Sequence, residues 1–280
     1  MDLDRCPLRH DITLQFVKGS RVGGIADFGS AEWQSPKVTW LELLAAGGGV
    51  LLAAAAQYTA GFGFSLLGVP LIALALPTHD AVIISTWLGL LTNGFQMSRG
   101  WRAADRSTVG RLMAGTVLGI PLGLVVFTRV DESVLKAVLG LTVLVATGLL
   151  IADFRFRRAG NGPEWVAGVV SGALSASLST NGPPLVFVLQ ARGVSMAVFR
   201  STLAVVFTGA NVVTLVGFGF TGDLDRDTTL RSLAVLPFMI GGVAIGSRLR
   251  RLVTESSARR LVLGLLATAG GSAVLSAVIG

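Results

Sequence analysis

Cysteine is almost missing. Cys6 is the only one in 280 residues, so the chain forms no internal disulfide and no thiolate metal cluster. Charge is scarce as well, at 14% of residues against about 25% in a typical soluble domain. A soluble protein of this size needs a charged shell, and this chain cannot make one. Only two histidines are present, and no metal-binding pattern, phosphate-binding loop or nucleophile elbow appears. His79-Asp80 is a neighbouring His–carboxylate pair, and chain neighbours rarely form a catalytic pair. No acidic side chain lies well inside an apolar stretch, because Glu42, Asp80, Asp131, Glu132 and Glu164 all sit at ends. Proton-coupled pumps usually bury such groups. Residues 1–37 have no apolar h-region, so no cleavable signal peptide is expected.

What remains is apolar. Hydrophobic residues make up 52% of the chain, with 36 glycines spread among them. The stretches do not alternate apolar with polar, as strands of a membrane barrel would. The reading is an all-α polytopic membrane protein with about ten apolar segments. They run over 40–60, 66–77, 80–98, 107–128, 132–152, 164–180, 183–191, 197–219, 229–247 and 257–279. Most reach the ~20 residues that a span needs, but the second and seventh do not.

These two short segments are second of five in each half of the chain. Each follows a turn rich in helix breakers, "AGFGFSLLGVP" (60–70) and "STNGPP" (179–184), which are expected to be non-helical. Other features repeat. "GIPLG" (119–123) matches "GVAIG" (242–246), and "VDESVLKAVLGL" (130–141) matches "VTESSARRLVLGLL" (253–266). Asn93 and Asn211 also correspond. This predicts two five-segment repeats, the second segment of each a short half-helix. The domain reading is a tail over 1–37, membrane repeat 1 over 38–154, a basic loop over 155–162 and repeat 2 over 163–280.

Charge fixes a topology for this arrangement. One side collects Arg99, Arg102, Arg106, Arg111, Arg155, Arg157, Arg158, Arg192, Arg200, Arg248, Arg250, Arg251, Arg259 and Arg260. The other collects only Arg129, Lys136, Arg226 and Arg231. By the positive-inside rule the first side is cytoplasmic, both termini are outside, and the halves are inverted. The net charge of +7 therefore reads as topology, not as nucleic-acid binding.

Irregular backbone inside a membrane survives only against protein or water. A helix that starts there exposes free N–H groups and a positive dipole end, which hold an oxyanion without any charged side chain. Gly61, Gly63, Ser65 and Gly68 form the first candidate turn, and Thr180, Asn181, Gly182 and Pro183 the second. Pro183 and Pro184 suit a first helical turn, where no N–H is needed. Arg200 is a candidate substrate contact because a guanidinium matches an oxyanion, with a snorkelling anchor as the alternative. Arg99, its rough counterpart, reads as an anchor. Asn93, Gln96 and Asn211 are candidates for lining a pathway or for bonding between helices.

"GFGFSLLGVPLIAL" (61–74), "SGALSASLSTNGPPLVFVL" (171–189) and "FRSTLAVVF" (199–207) resemble the paired motifs of the TauE/SafE sulfite-exporter family, over most of 40–280. The resemblance implies repeated halves and transport of a sulfur oxyanion such as sulfite, thiosulfate or an organosulfonate. Ser65, Ser175, Ser177 and Ser179 stand where the glycine-richest members often have glycine, so the fold is carried further than the substrate. The expected partners are a small anion and the lipid bilayer of a bacterial-type cell membrane, with no cofactor, metal or nucleic acid. An ion-coupled importer of an organosulfonate and a non-transporting membrane subunit are the competing expectations.

Overall fold

The computed structural model describes residues 38–60, 64–152, 161–252 and 255–279. The tail over 1–37, the basic stretch 153–160, and Gly61 and Gly63 of the first turn lie outside the described residues. Among the described residues the chain is helical throughout, without a strand. The helices are α1 (Trp40–Ala60), α2 (Phe64–Ile72), α3 (Thr78–Gly100), α4 (Arg106–Arg129), α5 (Glu132–Ile151) and α6 (Asn161–Leu178). They continue with α7 (Gly182–Ala191), α8 (Met196–Thr221), α9 (Arg226–Ala234), α10 (Leu236–Leu252) and α11 (Glu255–Ile279).

Five stretches among the described residues are long and apolar enough to cross a membrane. They are α1, α4, α5, α8 and the α9–α10 run over Arg226–Leu249. α3 has the length, about 34 Å at 1.5 Å per residue, but it is more polar. Its Thr78, Asp80, Ser85, Thr86, Thr92 and Asn93 are buried, so protein covers what lipid would not tolerate. α2 and α7 span only about 14 and 15 Å, half of a bilayer core.

Three sequence expectations are corrected. Residues 182–184, expected to be non-helical, open α7, so only 179–181 lie outside helix. Residues 64–70 are helical, not a turn: α2 begins at Phe64 and carries Gly68 and Pro70 inside it. The Phe64 ring explains the tolerance of Gly68, because a Cβ there would lie 2.9 Å from the ring edge. The ninth apolar segment is two helices, broken at Val235. Pro237 has no N–H to continue the ladder across that point.

Glycine sets the closest crossings. Gly115, Gly119 and Gly123 of α4 meet Gly168, Gly172 and Ala173 of α6, backbone on backbone. A Cβ at Gly168 would lie 2.6 Å from the Leu112 carbonyl oxygen. Gly242 and Gly246 of α10 meet α1 in the same manner, and a Cβ at Gly246 would lie 2.6 Å from the Ala55 oxygen. These are small-residue packing faces, and they include the "GIPLG" and "GVAIG" stretches that repeat in the sequence. α5 packs on α11 and α3 on α8, which leaves α3 and α8 central, flanked by the short helices α2 and α7.

Polar caps fix the helix starts. The Asp105 side chain accepts from the Ser107 amide at 3.1 Å and from the Thr108 amide at the start of α4. Asp225 accepts from the Thr228 amide at 2.8 Å at the start of α9. Ser195 caps α8, which ends on Gly222 at φ 82°, a left-handed value suited to glycine.

Candidate functional site

α6 stops at Leu178 and α7 starts at Gly182, so Ser179, Thr180 and Asn181 carry the chain between them. Ser179 takes the left-handed conformation at φ 55°, which is uncommon without glycine. Its hydroxyl holds the turn in place. Thr86 Oγ1 of α3 lies 3.1 Å from Ser179 Oγ, and Ser179 Oγ donates to Ser65 Oγ of α2 at 3.2 Å. The two predicted turns are therefore joined through one serine pair. Ser65 Oγ accepts from Ser179, so its own hydrogen is left for another partner.

Ser65, Asn93, Thr180, Asn181, Gly182 and Pro183 line a single cavity of about 30 Å³, closed off by Phe64, Leu66, Leu150 and Val186. That is room for roughly one or two waters. Every lining residue is uncharged. Thr180 and Asn181 are 1% and 7% exposed, yet Thr180 Oγ1 and Asn181 Nδ2 have no hydrogen-bond partner among the described residues. Each such group costs about 1–3 kcal/mol when buried alone. Asn181 occupies the residue before α7 but does not cap it with its side chain. Its carbonyl instead accepts from Ser171 Oγ at 2.8 Å.

Prolines at 183 and 184 leave Gly182 as the amide donor of the first positions of α7, and its hypothetical Cβ would meet only Phe207, at 3.9 Å. On the opposite wall α2 begins at Phe64, and the first amides of a helix have no intrahelical acceptor. Two helix N-termini, the hydroxyls of Ser65, Ser179 and Thr180 and the carboxamides of Asn93 and Asn181 thus converge on one small, uncharged, buried space. Such an arrangement donates hydrogen bonds and offers partial positive charge, which is the complement of an oxyanion.

Other predicted residues sit elsewhere. Gly68 lies inside α2 under Phe64, away from the cavity lining. Asn211 of α8 faces Gly89 of α3, whose missing side chain also brings Ser65 Oγ within 3.5 Å of the same spot. It supports the turn from behind and does not line the cavity. Gln96 and Arg200 line a different cavity of about 300 Å³, together with Tyr58, Arg99 and Ser201. A larger cleft of about 780 Å³ lies between α5, α6 and α7, and its lining is apolar apart from Thr142.

Sequence reasoning missed Thr86, which was detectable, since it lies seven residues before Asn93 and so on the same face of α3. It placed Ser179 in the turn, at a position where related proteins often have glycine, but gave its hydroxyl no role. It also missed two ion-pair clusters. Glu164 of α6, fully buried, pairs with Arg111 Nε and lies 2.9 Å from Arg192 Nε, while Arg192 reaches Asp105 at 3.1 Å and touches Thr108. Asp80 of α3, also fully buried, pairs with Arg231 at 2.5 Å and accepts from Thr228 Oγ1 at 3.2 Å. The two sets share a pattern, Asp105-x-x-Thr108-x-x-Arg111 and Asp225-x-x-Thr228-x-x-Arg231.

Residues 45–273 match the family model for sulfite exporter TauE/SafE. A protein of Comamonas testosteroni described as a probable inner membrane transporter protein, TsaS, is 30% identical over 240 residues, 81% of this chain and 87% of that protein. A probable sulfite/organosulfonate exporter, TauE, of Cupriavidus necator is 26% identical over 181 residues, 64% of this chain and 70% of that one. No solved structure matches the chain.

Proposed function

The chain belongs to the sulfite exporter TauE/SafE family, whose members are transporters and not enzymes, and from that premise we propose that it exports a small sulfur-containing oxyanion. The protein is a multi-pass protein of a bacterial cell membrane. Sulfite or a sulfonate is the substrate class, as the names of the two relatives and the uncharged donor site together favour. The observation that carries the reading is the pair of buried, unpartnered donors, Thr180 Oγ1 and Asn181 Nδ2, on the wall of the cavity where the starts of α2 and α7 meet. An oxyanion supplies the acceptors that these groups lack.

In this reading α2 and α7 are the half-helices of two inverted repeats, 38–154 and 163–280, on either side of the basic loop over 155–162. Support comes from matched contacts. The α4–α6 glycine crossing has its counterpart in the α10–α1 crossing, as exchange of the halves requires. Support for the topology comes from the ion pairs. Asp105, Arg111, Glu164 and Arg192 belong to ends assigned to the cytoplasm. Asp80, Thr228, Arg231 and the pair of Thr78 N–H with Glu132 at 2.6 Å belong to ends assigned outside. A cavity of about 30 Å³ admits an anion of four or more heavy atoms only when its walls part. Export of an anion from a negative interior is already driven, by about 2.3 kcal/mol per charge per 100 mV, so no coupling ion is required.

The test is flux in proteoliposomes with sulfite, thiosulfate and a sulfonate compared in parallel, with an imposed potential of either sign. Saturable movement of at least one of them, accelerated when the compartment that holds it is negative, is expected. Absence of flux for all three, with correctly folded protein, refutes the proposal. Flux that requires a sodium or proton gradient moves the assignment to a coupled importer.

A further inference from the structure

We propose that the cavity between the end of α3 and the start of α8 is a second anion site, a vestibule in which Arg99 and Arg200 capture the oxyanion before it reaches the Ser65–Asn181 cavity. This rests on the functional reading above and adds a residue, Arg99, that the sequence marks only as an anchor. The cavity measures about 300 Å³, ten times the inner one, and is lined by Tyr58, Gln96, Arg99, Arg200 and Ser201 without any carboxylate. That size accepts an anion with part of its hydration shell, so capture there does not require full desolvation.

The charge at this end of the molecule is unevenly used. Arg111 and Arg192 are neutralised by Glu164 and Asp105. Among the described residues Arg99 and Arg200 have no carboxylate partner, and both line the same concave space. An arginine that only marks topology has no need to share a cavity with another. The Arg99 guanidinium stacks 4.1 Å over the Phe95 ring, which occupies one face and leaves the N–H edge for a planar or bidentate contact. Gly100 and Ser201 hold the two helix ends together, since a Cβ at Gly100 would lie 3.0 Å from Ser201 Oγ.

The two cavities are connected in register along α3. Asn93 lines the inner one and Gln96 the outer one, a single helical turn or about 4.5 Å apart. Arg99 follows one turn later. On α8, Phe207 faces Gly182 beside the inner cavity, and Arg200 lies two turns earlier, about 10 Å away. Arginine, glutamine and asparagine thus descend in order from the surface to the uncharged donor site. A site that discriminates by charge precedes one that discriminates by hydrogen-bond geometry. Two arginines at the inner site would hold the anion too long, and at the mouth they raise its local concentration.

The arrangement predicts a sided effect. Labelled sulfite uptake is measured in everted vesicles, where the Arg99–Arg200 face meets the added substrate, and in right-side-out vesicles, where it does not. R99Q and R200Q each raise KM about fivefold in everted vesicles, and R99Q/R200Q about twentyfold, with kcat within about twofold of wild type. R200K keeps the charge and stays within about twofold in KM. Added salt raises KM for the wild type and not for R99Q/R200Q. In right-side-out vesicles KM is unchanged in all of these. An unchanged KM for R99Q/R200Q in everted vesicles, beside a wild type that moves sulfite, overturns the vestibule and leaves the transport reading intact. A loss of kcat in both vesicle orientations, unrescued by R200K, also overturns it, because it marks a structural role. A wild type that moves no sulfite overturns the functional reading and the vestibule with it.

Discussion

Asn181 is the residue at which the anion site is most sharply tested. Its Nδ2 is buried and unpartnered, and its backbone carbonyl is already taken by Ser171. Asn181→Ala removes one donor to the anion and the buried orphan with it. A hydrogen bond to a charged group contributes about 1.5–3 kcal/mol, so occupancy of the site falls about 10- to 150-fold and stability stays level or rises slightly. Asn181→Asp keeps the volume but places a carboxylate beside the anion. Two unit charges about 4 Å apart at an effective dielectric near 20 repel by about 4 kcal/mol, nearly a thousandfold, in addition to the lost donor. The aspartate variant should therefore be inactive under conditions where the alanine variant still transports at raised substrate concentration. The assay is initial-rate sulfite flux in vesicles with matched protein amounts, and thermal unfolding in detergent shows that both variants fold. A structural asparagine reverses the order, since truncation would then harm more than an isosteric change. Transport by Asn181→Asp at or above the Asn181→Ala level refutes the assignment.

Three further outcomes are expected. Single cysteines at Arg102 and Arg250, in a Cys6→Ser background, should resist an impermeant thiol reagent added to intact cells, whereas one at Arg226 should react. Labelling at 102 and 250 from outside would overturn the inverted topology. Gly172→Val drives a side chain into the Thr116 backbone across the α4–α6 crossing, where no rotamer can give way; it should cost about 2 kcal/mol or more in thermal unfolding, whereas Gly48→Ala, with nothing within 4 Å, should be silent. Asp105 has its carboxyl held down to about 2 by hydrogen bonds, Thr108 first and then Ser107. Its folded value lies below its unfolded value of about 3.9, so its contribution is full above about pH 4 and fades as pH falls toward 2. Asp105→Asn should flatten that part of the stability profile, and an unchanged acid slope would discount the cap.

Composition and local chemistry made the membrane class, the helix spacing and the glycine faces readable. Gly119, Gly123, Gly242 and Gly246 recur at four-residue steps, and such steps define a packing face before any partner is known. Asn181-Gly182-Pro183-Pro184 announces a break because proline constrains its own φ and the residue before it. The first turn misled for a related reason. Gly61, Gly63, Gly68 and Pro70 read as one breaker run, but the Phe64 ring packs under Gly68 and the helix tolerates Pro70, so the start of α2 moves back to Phe64. The break at Val235 passed unseen because Pro237 is a lone proline in an apolar run.

The long-range pairs were out of reach. Arg111 and Glu164 are 53 residues apart, Asp80 and Arg231 are 151, and no local pattern joins them. Ser65 and Ser179 are likewise 114 residues apart, yet their contact is what turns two breaker motifs into one wall. Each turn alone has an ordinary explanation as a loop. The case for a site arises where α2, α3 and α7 meet, because only there do Thr180 and Asn181 become buried donors without an acceptor. A loop in water would have satisfied both. Their lack of partners among the described residues therefore comes from how the fold buries them, not from the local sequence.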